Sequence, residues 1–496
     1  MLFHSYEFIF VFLPMTFFIY FYLNRRRLTN ASKFFLVFSS LFFYSWWNIS
    51  YLPIILLSII FNYIIGKYLN IDNGTDYNKF SKKSLLTFGI VSNIALLGYF
   101  KYTDFMIWNI NLLFNANIHT LNLALPLAIS FFTFQQISYL VDSYTQKAKE
   151  YDFLNYTLFV TFFPQLISGP IVHHKEMMPQ FTRTRNKVQN YNNIAAGLFI
   201  FSIGLFKKVV IADTFAVWAI QGFDVATTLN LFEAWTTSLS YSLQLYFDFS
   251  GYTDMAIGLA LLFNIKLPIN FNSPYKATNI QDFWRRWHIT LSRFLKDYIY
   301  IPLGGNRKDE FRTYSNLITT FMIGAIWHGA GWTFMFWGFL HGISIIIYRL
   351  WSKLGLKLWS WLAWLITFNF INVAWIFFRA KEWDSAIKVL SSMFNLDNIV
   401  ISKQFSNFFN YINPLNEYYK FNGSEFQSFV DFYTLEMLVF GFIIITLFKN
   451  SNELKLEFNS FNRVHLNLYI FSIFLFGYAL IVMSFQTGSE FLYFNF

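Results

Sequence analysis

Two histidines stand where a proton could be transferred inside a membrane protein, and the first is His328. It lies in the segment GAIWHGAGW, residues 324–332, between glycines and tryptophans. Glycine on both sides allows a ligand or another backbone to approach closely. We interpret His328 as a general base in an intramembrane tunnel, because imidazole exchanges protons near neutral pH. A buried histidine that only packs and forms hydrogen bonds is the alternative, and it is the role that we expect for His341.

The second histidine, His288, belongs to the charged segment QDFWRRWHITLSRFLKDYIYIPLGGNRK, residues 281–308. Helical spacing places large apolar residues on one face and Arg285 with His288 on another, which predicts an amphipathic helix at the membrane interface. A plain interfacial anchor is one interpretation. The functional interpretation is a basic platform for a phosphate-bearing donor, with His288 directed inward. The cations concerned are Arg285, Arg286, Arg293 and Lys296.

Two carboxylates, Asp248 and Asp254, interrupt an apolar stretch of the sequence. They are six residues apart and do not share a helix face, which argues against a site built on paired carboxylates. We expect them to pair with Arg285 or Arg286, or to orient a histidine. Charge pairing and the breaking of a helix are the roles that we predict.

The composition decides the class of protein. Of the 496 residues 55% are hydrophobic and 13% are charged, about half the charged fraction of roughly 25% in soluble domains. This predicts a polytopic membrane protein, whose net charge of +10 fits cytoplasmic loops and anionic headgroups better than nucleic acid. The absence of cysteine excludes an acyl thioester on this chain. Adjacent His173 and His174 lack the spacing of helical metal ligands, so we expect a loop and no metal site.

The apolar segments set the number of membrane spans. The first, roughly residues 5–23, precedes Arg25, Arg26 and Arg27, which predicts a retained span with the N-terminus outside. Since a span needs about 20 apolar residues, we predict about eleven spans. Segments 231–248 and 251–265 are separate candidates, and residues 315–348 could form two helices or a broken pair.

Together these clusters resemble the membrane-bound O-acyltransferases, the MBOAT superfamily, and within it the bacterial branch that O-acetylates alginate or peptidoglycan. The resemblance is densest over residues 246–342, in the blocks FWRRWHITLSRFL and IWHGAGWTFMFWGFLHG. It implies one transmembrane domain over residues 1–496, with about eleven helices in a ring around a tunnel. It also implies that His328 is the intramembrane histidine of the family and that His288 is its second polar position.

The resemblance further implies a function. Cytosolic acetyl-CoA would be the donor, with no bound cofactor, and the four cations would attract its phosphates, while Trp327 and Asp248 would line the substrate site. An SGNH-type transferase in the periplasm would complete O-acetylation of a polysaccharide outside the bacterial inner membrane. A D-alanyl exporter for teichoic acid and a lipid-linked sugar transporter are the alternatives. A scaffold without activity is disfavoured, because it has no use for intramembrane bases.

Overall fold

Helices account for almost the whole computed structural model, which describes residues 1–70, 81–150, 152–401, 420–421, 428–460, 466–485 and 492. The prediction of an all-helical, multi-pass membrane protein is confirmed. Within these ranges, seven helical segments are long and apolar enough to cross a membrane, and one bent pair would make eight. The number of about eleven spans stays a prediction, since short and bent helices pack beside these seven.

The elements follow in chain order. The first ten helices are α1 (Leu13–Arg25), α2 (Thr29–Ser45), α3 (Leu52–Asn70), α4 (Lys82–Phe114), α5 (Ile129–Tyr144), α6 (Phe153–Thr161), α7 (Phe163–Leu166), α8 (His174–Thr182), α9 (Tyr191–Phe206) and α10 (Asp213–Ile220). The next ten are α11 (Leu231–Leu262), α12 (Ile280–Arg286), α13 (Ile289–Leu295), α14 (Glu310–His328), α15 (Trp332–Lys353), α16 (Ser360–Arg379), α17 (Trp383–Met393), α18 (Phe432–Leu447), α19 (Ser451–Ser460) and α20 (Leu466–Phe485). The two short strands β1 (Val400–Ile401) and β2 (Lys420–Phe421) pair in parallel.

The antiparallel helices α9 and α11 form the centre of the fold and approach each other at glycines. A Cβ atom at Gly258 would lie 2.5 Å from the Gly197 carbonyl oxygen, and one at Gly204 would lie 2.5 Å from the Gly251 carbonyl oxygen. A side chain at either position would push the helices apart. Close backbone packing of this kind stabilises helix pairs in a bilayer, where lipid tails are as apolar as the helices. Helix α11 is buried along most of its length and so forms a fixed wall.

Helix α11 is one continuous helix, where the sequence predicted two separate spans. Asn230 begins it with a capping box: its side chain accepts the Glu233 N–H, and the Glu233 carboxylate accepts the Asn230 N–H. Asp248 and Asp254 lie within the helix, so the prediction that they break it is wrong. The helix continues through them because each carboxylate is paired with a lysine.

The charged segment that begins at residue 281 was predicted to be one amphipathic helix. That prediction is wrong, because the segment forms two short helices. Helix α12 ends at Arg286 and α13 begins at Ile289. Between them His288 adopts the left-handed conformation, with φ 42° and ψ 54°. Left-handed backbone costs a non-glycine residue roughly 1–2 kcal/mol, so contacts elsewhere must stabilise it. The helical face predicted to hold both Arg285 and His288 does not exist.

Residues 315–348 form two helices, α14 and α15, which is one of the two predicted outcomes. Asp309 begins α14 by accepting the Arg312 N–H at 2.8 Å. The helices pack closely, because a Cβ atom at Gly338 of α15 would lie 2.5 Å from the Ala325 side chain of α14. The hairpin therefore has little freedom to slide, and it fixes His328, the last residue of α14.

A buried amide cluster joins α3, α4 and α5. Asn62 Nδ2 donates to Asn93 Oδ1 at 3.1 Å, and Asn93 Nδ2 donates to Asn62 Oδ1 at 2.7 Å. Asn62 also donates to Gln136 of α5. Interhelical hydrogen bonds inside a bilayer contribute roughly 0.6–2 kcal/mol each. Helix α4 is thereby held against its neighbours at a fixed rotation.

Candidate active site

A single asparagine holds the His288 imidazole in place. His288 Nδ1 lies 3.1 Å from Asn270 Oδ1, and the same oxygen accepts the Thr290 N–H at 3.1 Å and the Thr290 hydroxyl at 2.9 Å. Because a backbone N–H can only donate, the contacted atom is the amide oxygen, and His288 Nδ1 must carry the hydrogen. In the neutral ring Nε2 then keeps its lone pair and can accept a proton.

His328 is buried where α14 ends. The helix stops because Gly329 takes up an extended conformation, with φ −163°. A Cβ atom at Gly329 would lie 2.2 Å from the Phe334 ring, so any other residue would have to displace that ring. The preceding Trp327 donates from Nε1 to the Ser130 carbonyl of α5 at 3.2 Å. The end of α14 is therefore fixed on both sides of the histidine.

The two predicted histidines come together in the fold. Their ring centroids lie 6.4 Å apart, and the exposed fractions are 0% for His288 and 3% for His328. The Trp327 ring lies beside both, 4.9 Å from His328 and 6.2 Å from His288. Further rings that enclose the pair include Trp337 and Phe378 around His328 and Phe249 and Phe271 beside His288. Such an enclosure strengthens electrostatic interactions, because it excludes water.

The four cations predicted to bind donor phosphates differ in availability. Arg293 forms a bidentate ion pair with Glu176, with N–O distances of 2.9 and 3.0 Å. Arg286 binds a carboxylate on its own helix α12 at 2.9 Å. Arg285 and Lys296 are exposed, and in the part of the chain that the structure describes no carboxylate pairs with them. These two cations are the ones available to an incoming phosphate.

Asp248, predicted to bind substrate, lies in a buried charge cluster. Lys208 Nζ is 2.9 Å from Asp248 and 2.7 Å from Asp213, and Lys207 Nζ is 2.7 Å from Asp254. The predicted charge pairing is confirmed, but its partners are lysines, and pairing with the arginines of α12 is wrong. Two consecutive lysines can reach α11 because a π-helical segment begins at Lys207. A role of Asp248 in substrate binding stays a prediction.

The adjacent histidines each have a carboxylate partner. His174 is the first residue of α8, so the predicted loop is wrong for it, and its Nε2 lies 3.2 Å from Glu150. His173 Nδ1 lies 2.8 Å from the Tyr298 hydroxyl, which donates to Asp142 at 3.0 Å. Burial alone would raise the pKa of Glu150, but the His174 hydrogen bond holds that pKa below its usual value. Among the described residues no three His, Asp or Glu side chains converge as metal ligands.

His341 connects two helices of the site. It is fully buried, and its Nδ1 accepts the Trp284 indole N–H at 3.2 Å. The bond ties α12 to α15, which agrees with the structural role expected for it. Sequence reasoning missed Asn270, because its partner His288 lies 18 residues further along the chain. A spacing of 18 residues follows neither a helical nor a strand period. Asn270 lies in the segment between α11 and α12, and only the folding of that segment brings it to His288.

Comparisons with known proteins identify the family to which these residues belong. Residues 41–381 match the membrane-bound O-acyltransferase family. The peptidoglycan O-acetyltransferase of Helicobacter pylori is 50% identical, over 100% of this chain and 98% of its own length. The probable alginate O-acetylase AlgI of Azotobacter vinelandii is 38% identical over 81% of this chain and 80% of its own. The teichoic acid D-alanyltransferase of Bacillus subtilis is 28% identical over 53% of this chain and 70% of its own.

Proposed function

The chain belongs to the membrane-bound O-acyltransferase family, and on this premise we propose that it passes acetyl groups from cytosolic acetyl-CoA to an extracytoplasmic polysaccharide. Peptidoglycan is the acceptor that we favour, because the relative named for it is 50% identical over the whole chain. An alginate-like glycan comes second. The protein would act in the bacterial inner membrane with its N-terminus outside. An SGNH-type transferase in the periplasm would complete the reaction.

The observation that carries this proposal is the buried pair of histidines. Ionisable side chains inside a membrane protein are costly and are kept for function or for pairing. Here two imidazoles lie with their centroids 6.4 Å apart in an aromatic enclosure, and both belong to the segment that matches the family. A hydrogen bond to Asn270 orients one of them so that a ring nitrogen remains able to accept a proton.

The chemistry is an exchange of the acyl group from sulfur to oxygen. The acceptor hydroxyl oxygen attacks the thioester carbonyl carbon, and His328 takes the hydroxyl proton as the C–O bond forms. The tetrahedral intermediate breaks its C–S bond, and the imidazolium returns the proton to the CoA sulfur. His288 positions the thioester or assists His328. Because the chain has no cysteine, direct transfer to the acceptor, or to a serine of the partner, is the simplest course.

The donor would be held from the cytoplasmic side. Arg285 is an exposed cation on α12, and Lys296 is an exposed cation directly after α13, so the two lie on either side of His288 in the chain. Phosphate groups bind such cations through charge-assisted hydrogen bonds. Arg286 and Arg293 contribute less in this arrangement, because carboxylates already partner them. Trp327, beside both imidazoles, would limit the space around the acyl group.

The test uses purified protein in liposomes, with its periplasmic partner and acetyl-labelled acetyl-CoA. A thiol reagent measures released CoA, and the label in the glycan measures transfer. The chain has no cysteine, so the thiol signal has no background from it. We expect His328→Ala to lower the rate roughly 10²–10⁴-fold, the usual contribution of a general base. Full activity of this variant would refute the assignment.

The matched control is His119→Ala, which removes an exposed histidine from the connection between α4 and α5. We expect it to retain activity. Comparing the melting temperatures of both variants separates a loss of chemistry from a loss of folding. If both variants lose activity equally while staying folded, the effect does not belong to the buried site.

Two alternatives make different predictions in the same liposomes. A D-alanyl exporter would not react with acetyl-CoA and would form product only from a D-alanylated carrier protein. The D-alanyltransferase of Bacillus subtilis is the more distant relative, at 28% identity. A lipid-linked sugar transporter would release neither CoA nor an acetyl product. Release of CoA that depends on His328 therefore supports acetyl transfer against both.

A further inference from the structure

Two neighbouring side chains of α4 hold the last turn of α14. Lys101 Nζ donates to the Trp327 carbonyl at 2.5 Å and to the Ser130 hydroxyl at 3.2 Å. The Tyr102 hydroxyl donates to the Ile326 carbonyl at 2.5 Å. These are consecutive carbonyls directly before His328. The end of a helix leaves such carbonyls without partners inside the helix, so α4 supplies donors from outside.

Lys101 also brings an ionisable amine into this position. It lies in a helix apolar enough to cross a membrane. Within the described ranges no carboxylate pairs with it; its hydrogen bonds go to neutral oxygens. A cation without a counter-ion inside a membrane protein is costly unless it serves a site that carries negative charge. Tyr102 satisfies its carbonyl without a charge, so holding the helix end does not by itself require a lysine.

The amine of Lys101 lies over the tryptophan ring that is packed against both histidines. Lys101 Nζ is 6.0 Å from the centroid of the Trp327 ring. That ring lies next to His328, at 4.9 Å, and next to His288, at 6.2 Å. In a water-excluded enclosure a unit charge acts over such distances much more strongly than in water.

Acyl transfer creates the negative charge that this arrangement lacks. When a hydroxyl attacks a thioester, the carbonyl oxygen becomes an oxyanion in the tetrahedral intermediate, and a preorganised positive group lowers the energy of that state. We propose that Lys101 is a positioning residue that holds the Trp327 carbonyl beside His328 and provides the fixed positive charge that stabilises this oxyanion. The inference deepens the proposed function and rests on it.

The test separates the charge from the hydrogen bond. Lys101→Gln keeps a donor for the Trp327 carbonyl and removes the charge, Lys101→Met removes both, and Lys101→Arg restores the charge. We expect the Gln and Met variants to lower kcat roughly 10- to 100-fold, less than the loss of a donor that touches the oxyanion. KM for the donor should change little. The Arg variant should recover most of the lost kcat.

Tyr102→Phe is the matched control, since it removes the neighbouring carbonyl contact without changing charge. We expect a loss of kcat of at most about fivefold, because that is roughly what one neutral hydrogen bond contributes to a rate or equilibrium constant. Melting temperatures identify variants that fail to fold, and kcat is compared only among folded ones. A Gln variant with wild-type kcat, or a Tyr102→Phe variant as impaired as Lys101→Gln, would overturn the proposal.

Failure of the proposed function gives a different result. If the wild type releases no CoA from acetyl-CoA, acetyl transfer is refuted. The same variants are then assayed with a D-alanylated carrier protein, because that donor is also a thioester and forms the same oxyanion. In either assay, a loss of kcat in the Gln and Met variants with recovery in the Arg variant would support the proposal that the charge at residue 101 stabilises the oxyanion. Equal rates across the series would refute it.

Discussion

Asn270 offers the sharpest test of how the site is held together, and the change that we consider is Asn270→Leu. Leucine has the same number and branching of side-chain heavy atoms as asparagine, although its methyl groups are larger, and it offers no oxygen. Asn270 Oδ1 accepts three hydrogen bonds, one from His288 and two from Thr290. At about 0.5–1.5 kcal/mol each, these three bonds together contribute roughly 1.5–4.5 kcal/mol. The middle of that range, about 3 kcal/mol, exceeds the roughly 1–2 kcal/mol by which left-handed backbone disfavours His288.

In the variant, His288 should therefore leave its left-handed backbone conformation, because the remaining contacts no longer offset its cost. Without the amide oxygen, Nδ1 no longer fixes the tautomer, and the ring can rotate away from His328. We expect kcat to fall about 100-fold, equivalent to about 2.7 kcal/mol of activation free energy. The measurement is released CoA in liposomes, together with the melting temperature of the purified variant. Asn270→Asp returns an acceptor oxygen and should recover at least part of the loss.

Asn62→Leu is the control, because Asn62 is an equally buried asparagine that joins α3 to α4 and α5. It should lower the melting temperature to a similar degree and leave kcat close to wild type. Wild-type kcat in a folded Asn270→Leu variant would refute the claim that this amide positions His288. An equal loss of kcat in both variants would attribute the effect to general destabilisation.

Three further changes test the donor side, the helix packing and the pH dependence. Replacing Arg285 and Lys296 by alanine should raise KM for acetyl-CoA about tenfold and make it nearly independent of salt, because exposed charges are screened; KM at low and high ionic strength measures this. Gly258→Ala would place a Cβ atom 2.5 Å from the α9 backbone and should destabilise the protein by about 1–3 kcal/mol. Gly98→Ala, where a Cβ atom meets nothing within 4 Å, should not lower the melting temperature. Because the pKa of Glu150 is held below 4.5, its stabilising effect is complete above that pH and is lost as the pH falls through the lowered pKa. Glu150→Gln should therefore flatten the fall in melting temperature below pH 4.5, and an unchanged profile would contradict this sign.

Local properties of the sequence predicted the class of the fold. Apolar windows of about 20 residues and the low charged fraction indicate membrane helices without any knowledge of packing, because a bilayer imposes its demands on each segment separately. The exceptions involve long-range contacts. Asp248 and Asp254 look like helix breakers in isolation, but lysines on a neighbouring segment pair with them, and α11 continues. Likewise, the face predicted for residues 281–308 assumed a regular helix that His288 interrupts.

By itself, the sequence determined that this is a membrane protein, since composition carries that information, and its resemblance to the acyltransferase family supplied the activity and the two candidate histidines. Only the tertiary structure decided how those histidines are held. Asn270 orients His288 from 18 residues away, and Lys101 reaches the end of α14 across 226 residues of chain. Such contacts have no period or local signal in the sequence. They form because packed helices bring distant polar groups into an interior where each group must find a partner.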